Sequence, residues 1–164
     1  MRLMTCVAAL IVVSSMLMAS AIAAEKTNKP LAGVKTVQVD ETVVPNPSKV
    51  KEDHAPNQVM DSLKRALRDA DFELGESPIR AHIVLDEFTS GSMAKRFVVG
   101  FGAGRSTVDC RLVLQDAEGK ELFNKRIRVR GNLAFSPYQG GNTQRRQAVN
   151  SFEQRLIEEI EGLK

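Results

Sequence analysis

The residues whose spacing most suggests a binding site are arginines in the second half of the chain. From Glu121 to Arg130 the sequence alternates apolar and polar residues, which predicts a half-buried strand with two unlike faces. The segment from Thr107 to Asp116 alternates in the same way, and the turn between them places Gly119 where left-handed backbone is needed. The resulting hairpin carries four guanidiniums on one face: Arg111, Arg126, Arg128 and Arg130.

This arginine face has two interpretations. Guanidiniums held together could bind an anionic partner such as a polymer or a lipid headgroup. Alternatively, the face is solvated and balanced by neighbouring acids such as Asp109 and Glu121. No aromatic residue alternates with the arginines, so base stacking is not expected and we predict no nucleic-acid partner.

The register of the hairpin follows from matching the apolar faces of its two strands. A slip of one residue would place apolar side chains against charged ones. In the matched register Lys125 falls on the apolar face opposite Leu112, which is tolerable only if its amine escapes to the surface. Three pairs define the register: Leu114 with Phe123, Cys110 with Ile127, and Asp109 with Arg128.

Groups able to do acid, base or metal chemistry are few. His54 lies in a loop, and His82 is interpreted as a strand histidine with a satisfied hydrogen bond. Asp86 and Glu87 are adjacent in a strand, so we expect them on opposite faces, where they could not share a proton. The chain has no His-x-His or Cys-x-x-Cys pair, so a metal site would lack its usual ligands. It has no nucleophile-elbow motif either, and because no catalytic motif is found we predict no catalytic residue, metal or cofactor, and no enzyme.

A glycine segment precedes the hairpin. The spacing of its glycines fits neither the dinucleotide-binding nor the phosphate-loop pattern. Each of those motifs stands at the start of a helix, whereas a strand is predicted after this segment. The apolar run around it is too short to span a membrane. It indicates either a strand with a glycine kink or a docking surface at which another backbone approaches. The residues that carry this hypothesis are Gly100, Phe101, Gly102 and Gly104.

The glycine segment and its flanks resemble an exported bacterial cell-envelope family that is known only as a domain of unknown function, with many lipoprotein members. The shared features are Phe88-x-x-Gly91-Ser92, Arg96, the glycine segment, the alternating strand after it and the Asp116-x-x-Gly119 turn. The resemblance covers residues 34–163. It implies an envelope location and an α+β domain, and it carries over no catalytic residue.

The amino terminus predicts export to the periplasm. After Arg2 the chain is uncharged and mostly apolar as far as Ala24. This apolar stretch ends in small residues, which is typical of a signal peptide cleaved after Ala23 or Ala24. An uncleaved inner-membrane anchor is the alternative, since ~20 apolar residues can span a bilayer. Cleavage of residues 1–24 would leave a single cysteine, Cys110, whose place in the strand pattern predicts burial.

The remaining elements define the fold class. After a flexible lead-in at residues 25–33, one domain is expected over residues 34–164. We predict an α+β fold in which a three- to four-stranded antiparallel or mixed sheet carries two amphipathic helices on one face. The further elements are a strand at 34–44, a helix capped by Asn57 with its apolar stripe from Val59 to Ala70, a strand at 81–88, and a helix from Asn142 or Thr143 to Glu161.

These features together predict a non-enzymatic binding or assembly module of the cell envelope that acts through protein contacts. Its partner would be an unknown envelope protein or a second copy of the chain. The alternative is a binder of anionic envelope components that uses the arginine face. The net charge of +3, with both signs interspersed along the chain, is too small to indicate a polyanionic partner by itself.

Overall fold

The computed structural model describes residues 29–90, 106–131 and 141–164, with side chains in the last range from residue 145. The order of elements is strand, helix, two strands, hairpin and helix, with a short 3-10 helix at Pro47–Lys49 ahead of the first α-helix. The strands are β1 (Thr36–Val39), β2 (Glu73–Leu74), β3 (Arg80–Thr89), β4 (Thr107–Gln115) and β5 (Glu121–Arg130), and the helices are α1 (Ala55–Asp69) and α2 (Gly141–Gly162).

The five described strands form one mixed sheet in the order β2-β1-β3-β4-β5. Strand β1 is parallel to both of its neighbours, whereas β3, β4 and β5 are antiparallel to one another. The α+β prediction is therefore confirmed, and the mixed alternative is the correct one. The predicted count of three to four strands was too low because β2 has only two residues, over which no alternation can be recognised.

The core lies between one face of the sheet and the two helices. On the sheet side, alternate residues such as Ile83, Leu85 and Leu112 are fully buried. Burial of each such side chain stabilises the fold by about 1.5–3 kcal/mol. Both predicted helix stripes face this core: Val59, Leu63, Ala66, Leu67 and Ala70 around α1, and Ala148, Val149, Phe152, Leu156 and Ile160 on α2.

Helix α1 begins earlier than the sequence predicts. Its amino-terminal cap is His54, with no side-chain cap hydrogen bond, and Asn57 lies inside the helix. Pro56 stands in the first turn, where its missing N–H has no helical partner to lose. Ala55 is completely buried, so the start of the helix is set by packing more than by a capping side chain.

The amino-terminal end of the described chain is packed against the carboxyl terminus. The backbone N–H of Leu31 donates to the carbonyl oxygen of Leu163 at 3.1 Å, and Leu31 is only 1% exposed. The packed chain thus begins ahead of residue 34, inside the stretch that was predicted to be a flexible lead-in. The signal peptide predicted at residues 1–24 lies outside the described residues.

Candidate docking edge and arginine face

The hairpin of β4 and β5 has the register that the sequence predicts. Leu114 lies opposite Phe123, and Cys110 lies opposite Ile127. Gly119 in the connecting turn has a φ of +83°, which confirms its left-handed position. Lys125, which falls on the apolar face of the hairpin, is accommodated by α2. Its Nζ atom leaves that face and pairs with Glu159 at 2.8 Å.

The arginine face lies on the side of the sheet away from the helices, and an acid is buried within it. Asp109 is 1% exposed although it faces away from the core. Its carboxylate accepts hydrogen bonds from Arg126 Nε at 2.8 Å and Arg126 Nη2 at 2.7 Å, and Arg128 Nε lies 3.3 Å away. The bonds from Arg126 are the main reason that the pKa of Asp109 is lowered, and they outweigh the opposing effect of burial.

A bulge in β3 brings two further acids to this face. Leu85 lies opposite Cys110, but Glu87 lies opposite the adjacent Asp109, so Asp86 is an extra residue in the strand. Both Leu85 and Phe88 are buried in the core. The prediction that Asp86 and Glu87 point to opposite faces was wrong, because it assumed strict alternation through the bulge.

The two acids pair with arginines of the hairpin. Asp86 accepts hydrogen bonds from Arg111 Nε at 3.0 Å and Nη2 at 3.1 Å, which raise the pKa of Arg111. Glu87 lies 3.8 Å from Arg128. Three of the four arginines of the face are therefore neutralised by acids of the same sheet, and Arg130 forms no ion pair with any residue that the structure describes.

Strand β5 is an edge of the described sheet, with β4 as its neighbour on one side. The N–H of Gly131 donates to the carbonyl oxygen of Ser106 at 2.8 Å, one step beyond the pair Thr107–Arg130. Hydrogen-bonded pairs alternate along an antiparallel ladder, so every second residue of β5 counted back from Gly131 bonds to β4. The backbone N–H and C=O groups of Arg126, Arg128 and Arg130 consequently point away from the sheet. We call this side of the strand the β5 edge.

A groove of about 580 Å³ runs between the end of β5 and helix α2. It contains three cations and one anion. The buried Oε1 atom of Gln147, on its wall, has no hydrogen-bond partner among the described residues. The residues that line this edge groove are Arg128, Val129, Arg130, Gln147, Ser151, Gln154, Arg155 and Glu158.

The two histidines are far from this edge groove in the chain and take no part in its lining. His54 Nε2 lies 3.2 Å from Glu52 Oε2 and 3.3 Å from Arg145 Nη1. His82 lies opposite Val113 in the sheet, and burial lowers its pKa. The hydrogen bond expected for His82 is not found within the described part of the chain. Among the same residues, no group of three His, Cys, Asp or Glu side chains could hold a metal ion.

Cys110 is buried, as its strand position predicts. It is fully inaccessible, its Sγ donates to the carbonyl oxygen of Ile127 at 3.7 Å, and burial raises the pKa of its thiol. A thiol in this state is a poor nucleophile.

The glycine segment falls in residues 91–105, outside the described ranges. The hypothesis that Gly100, Phe101, Gly102 and Gly104 form a kink or a docking surface therefore stays a prediction.

The chain belongs to the family described as the domain of unknown function DUF4410, which matches residues 31–128. The resemblance predicted from the glycine segment and its flanks is thereby confirmed. The description of the family assigns it no catalytic activity. Among curated proteins, none matches this chain. In the part of the chain that the structure describes, no helix is both long enough and apolar enough to cross a membrane.

Three solved structures are similar to this chain. A PelC variant from Paraburkholderia phytofirmans, solved as a dodecamer, is 12% identical with a TM-score of 0.52, over 79% of this chain and 85% of that one. An uncharacterized protein is 9% identical with a TM-score of 0.50, over 79% and 92%. A minor lipoprotein from Acinetobacter baumannii is 10% identical with a TM-score of 0.41, over 77% and 92%. For the first two structures the similarity shows a common fold alone.

Sequence reasoning brought the four arginines together correctly but missed how they are neutralised. The bulge was signalled by a change of spacing, since Ala81, Ile83 and Leu85 are two residues apart whereas the next buried residue, Phe88, is three further on. The edge groove had no such signal, because its walls come from segments that are distant in the chain.

Proposed function

We propose that this protein is a non-enzymatic binding or assembly module of the cell envelope, and that it acts through protein contacts made by the β5 edge. The observation that carries the proposal is the edge itself. From Asn124 to Arg130 its outward backbone groups belong to exposed residues, and no described strand covers it. A strand edge of this kind can accept an extended segment of a partner through main-chain hydrogen bonds.

The neighbouring groove supports a contact surface larger than a single strand. An added strand would lie beside β5 and against α2, where Gln154 and Arg155 line the wall. A rotation of the Gln147 side chain toward the groove would let its Oε1 atom accept from an added backbone N–H, which would satisfy a group that the described residues leave unpaired.

Placement in the periplasm follows from the signal peptide proposed at residues 1–24. The fractionation of cells that express the full chain checks this placement. We expect a periplasmic protein that lacks its first 23 or 24 residues, and a full-length protein in the inner-membrane fraction would support the uncleaved anchor instead.

Photo-crosslinking in living cells tests the proposed mode of action. A photoreactive amino acid replaces Asn124, which is exposed on β5, and a matched control carries it at Lys49, which is exposed on the 3-10 helix. We expect a protein adduct from position 124 and none from position 49. Equal labelling at both positions, or no adduct at position 124, would show that the β5 edge makes no specific protein contact.

Binding of an anionic envelope component is a second candidate, and Arg130 is the observation that favours it. Arg130 and Arg155 line the edge groove and form no ion pair with described residues, whereas Arg111, Arg126 and Arg128 are neutralised. Vesicles of anionic phospholipid should then sediment with the protein at low salt and release it as salt is added. If the combination of Arg130→Ala and Arg155→Ala leaves co-sedimentation unchanged, this candidate fails.

A further inference from the structure

We infer that the β5 edge binds the opposite edge of the same sheet, at β2, in a second copy of this chain, so that copies join head to tail. This inference rests on the proposed function and names the partner that the edge selects. The two edges of the described sheet are unlike in charge, and that difference decides which pairings are favourable.

The β5 edge is basic. Strand β5 contains four cations and one acid: Lys125, Arg126, Arg128, Arg130 and Glu121. Lys125 is paired with α2 and Arg126 with Asp109, but Arg130 and the adjacent Arg155 of α2 are unpaired within the described residues. The free positive charge is therefore concentrated at the end of β5 that borders the edge groove.

The β2 edge is acidic. Glu73 and Glu76 are exposed there and form no ion pair with described residues, whereas Asp71 just before them, 95% exposed, lies 3.7 Å from the Nζ atom of Lys164. Lys35, whose carbonyl oxygen accepts from the N–H of Glu73, forms no ion pair with described residues, so the charge of Glu73 and Glu76 is left unpaired at this edge.

The backbone of β2 also has groups directed outward. Glu73 N–H donates to the carbonyl oxygen of Lys35 at 2.9 Å, and Gly75 N–H donates to that of Val37 at 3.3 Å. Alternate residues of a parallel strand bond to the same neighbour, so the N–H and C=O of Leu74 between them point away from β1. Each edge therefore offers main-chain groups to the other.

Pairing of β5 with β5 is disfavoured by charge. In the antiparallel register centred on Arg130 that unpaired guanidinium meets its own copy, and parallel pairing in register likewise places Arg130 against itself. Like charges directly opposite each other destabilise a sheet. The basic edge therefore rejects a second basic edge, while the acidic edge of a second copy complements it.

The layering of the domain permits this contact. Helix α1 packs near β2 and β3, and α2 packs near β4 and β5, on the same face of the sheet. If β2 of one copy continues the sheet beyond β5 of another, the helical layers stay on one side and α2 meets the α1 side of its neighbour. Such a contact joins two different surfaces, so repetition of it builds a closed ring or an open filament.

Paired charge reversal tests the inference. One variant reverses the basic edge with Arg130→Glu and Arg155→Glu, and the other reverses the acidic edge with Glu73→Lys and Glu76→Lys. The control, Lys49→Glu with Lys51→Glu, makes the same change of charge as the first variant at exposed residues away from both edges. Sedimentation velocity of the protein purified from the envelope measures self-association, and thermal melting verifies that each variant is folded.

We expect the wild-type protein and the control to self-associate, and each edge variant alone to lose about tenfold or more in affinity. An equimolar mixture of the two edge variants should associate again, because the two native edges remain available and the two reversed edges also complement each other. Wild-type association should weaken with added salt, a measurement that needs no variant.

Three outcomes overturn the inference: a wild-type protein that stays monomeric, a mixture that fails to restore association, and association that salt does not weaken. They are distinguishable from failure of the proposed function. If the wild-type protein is monomeric but position 124 still crosslinks to a different protein, the β5 edge binds that protein and only the choice of partner was wrong. If position 124 forms no adduct at all, the proposed function fails as well.

Discussion

The carboxylate of Asp109 and the guanidinium of Arg126 form a two-bond pair across β4 and β5, with the acid almost fully buried and 62% of the arginine side chain exposed. The pair holds Arg126 in place on the arginine face of the hairpin. Because the charge of Arg126 is neutralised in this way, the proposed recognition depends on Arg130 and Arg155, which form no ion pair with described residues.

Replacement of Asp109 by asparagine should destabilise the domain. The variant keeps the shape of the side chain but loses the charge that Arg126 and Arg128 share. We expect a loss of about 1.5–3 kcal/mol in the free energy of unfolding, the usual range for hydrogen bonds to charged groups. Urea denaturation measures it, with Glu118→Gln in the exposed turn as the control. A loss no larger than that of the control would contradict the pairing.

The same residue makes stability depend on acid pH. The pKa of Asp109 is lower in the folded protein than in the unfolded chain, so its contribution is fully present above the unfolded pKa. That contribution is lost as pH falls through the folded pKa, because the unfolded chain takes up the proton first. Acid titration of stability should be less steep in Asp109→Asn than in the wild-type protein. Identical acid profiles would show that this carboxylate is not linked to folding.

His82 should contribute a second pH dependence at a higher range. Burial lowers its pKa in the folded protein, although Asp40 and Glu121 oppose the shift in part. The unfolded chain therefore binds the proton more readily, and stability falls as pH drops below the unfolded pKa of about 6.5. In His82→Gln this decline between pH 7 and pH 5 should be smaller than in the wild-type protein or in His54→Gln. An unchanged decline would exclude His82 as its source.

The thiol of Cys110 should be unreactive in the folded state. It is inaccessible, and its raised pKa disfavours the thiolate that reagents attack. An aromatic disulfide reagent should label it only at the rate of unfolding, so that labelling and the loss of structure in denaturant coincide. Rapid labelling of the native protein would show that the strand opens locally.

Proline scanning should reveal which backbone groups of β5 face outward. Asn124 and Lys125 are both exposed neighbours, but the N–H of Lys125 bonds to β4 and that of Asn124 points away. Proline at position 125 would leave the carbonyl oxygen on β4 without its donor. Lys125→Pro should therefore destabilise the domain by about 1–3 kcal/mol more than Asn124→Pro, the usual cost of leaving a buried hydrogen-bonding group unpaired. Thermal or urea unfolding compares the two, and the reverse order would mean that the ladder is shifted by one residue.

The fold was predictable wherever a regular pattern ran for several turns or residues. The stripe of α2 and the register of the hairpin are correct in the sequence analysis because apolar spacing specifies both. Strand β2 is too short to show a pattern, and the early start of α1 depends on the burial of Ala55, a tertiary contact. The four arginines were grouped correctly, whereas their neutralisation required the extra residue Asp86 in β3.

Hydrogen exchange at single residues of β5 tests the central claim most directly. In the isolated protein the amides of Arg126 and Arg128 should exchange quickly, because they point to solvent, while those of Ile127 and Val129 are protected by β4. In the assembled protein recovered from the envelope, the amides of Arg126 and Arg128 should slow by about tenfold or more as they pair with a partner backbone. Rapid exchange of both amides in the assembled protein would contradict the claim that the β5 edge is the surface through which this protein acts.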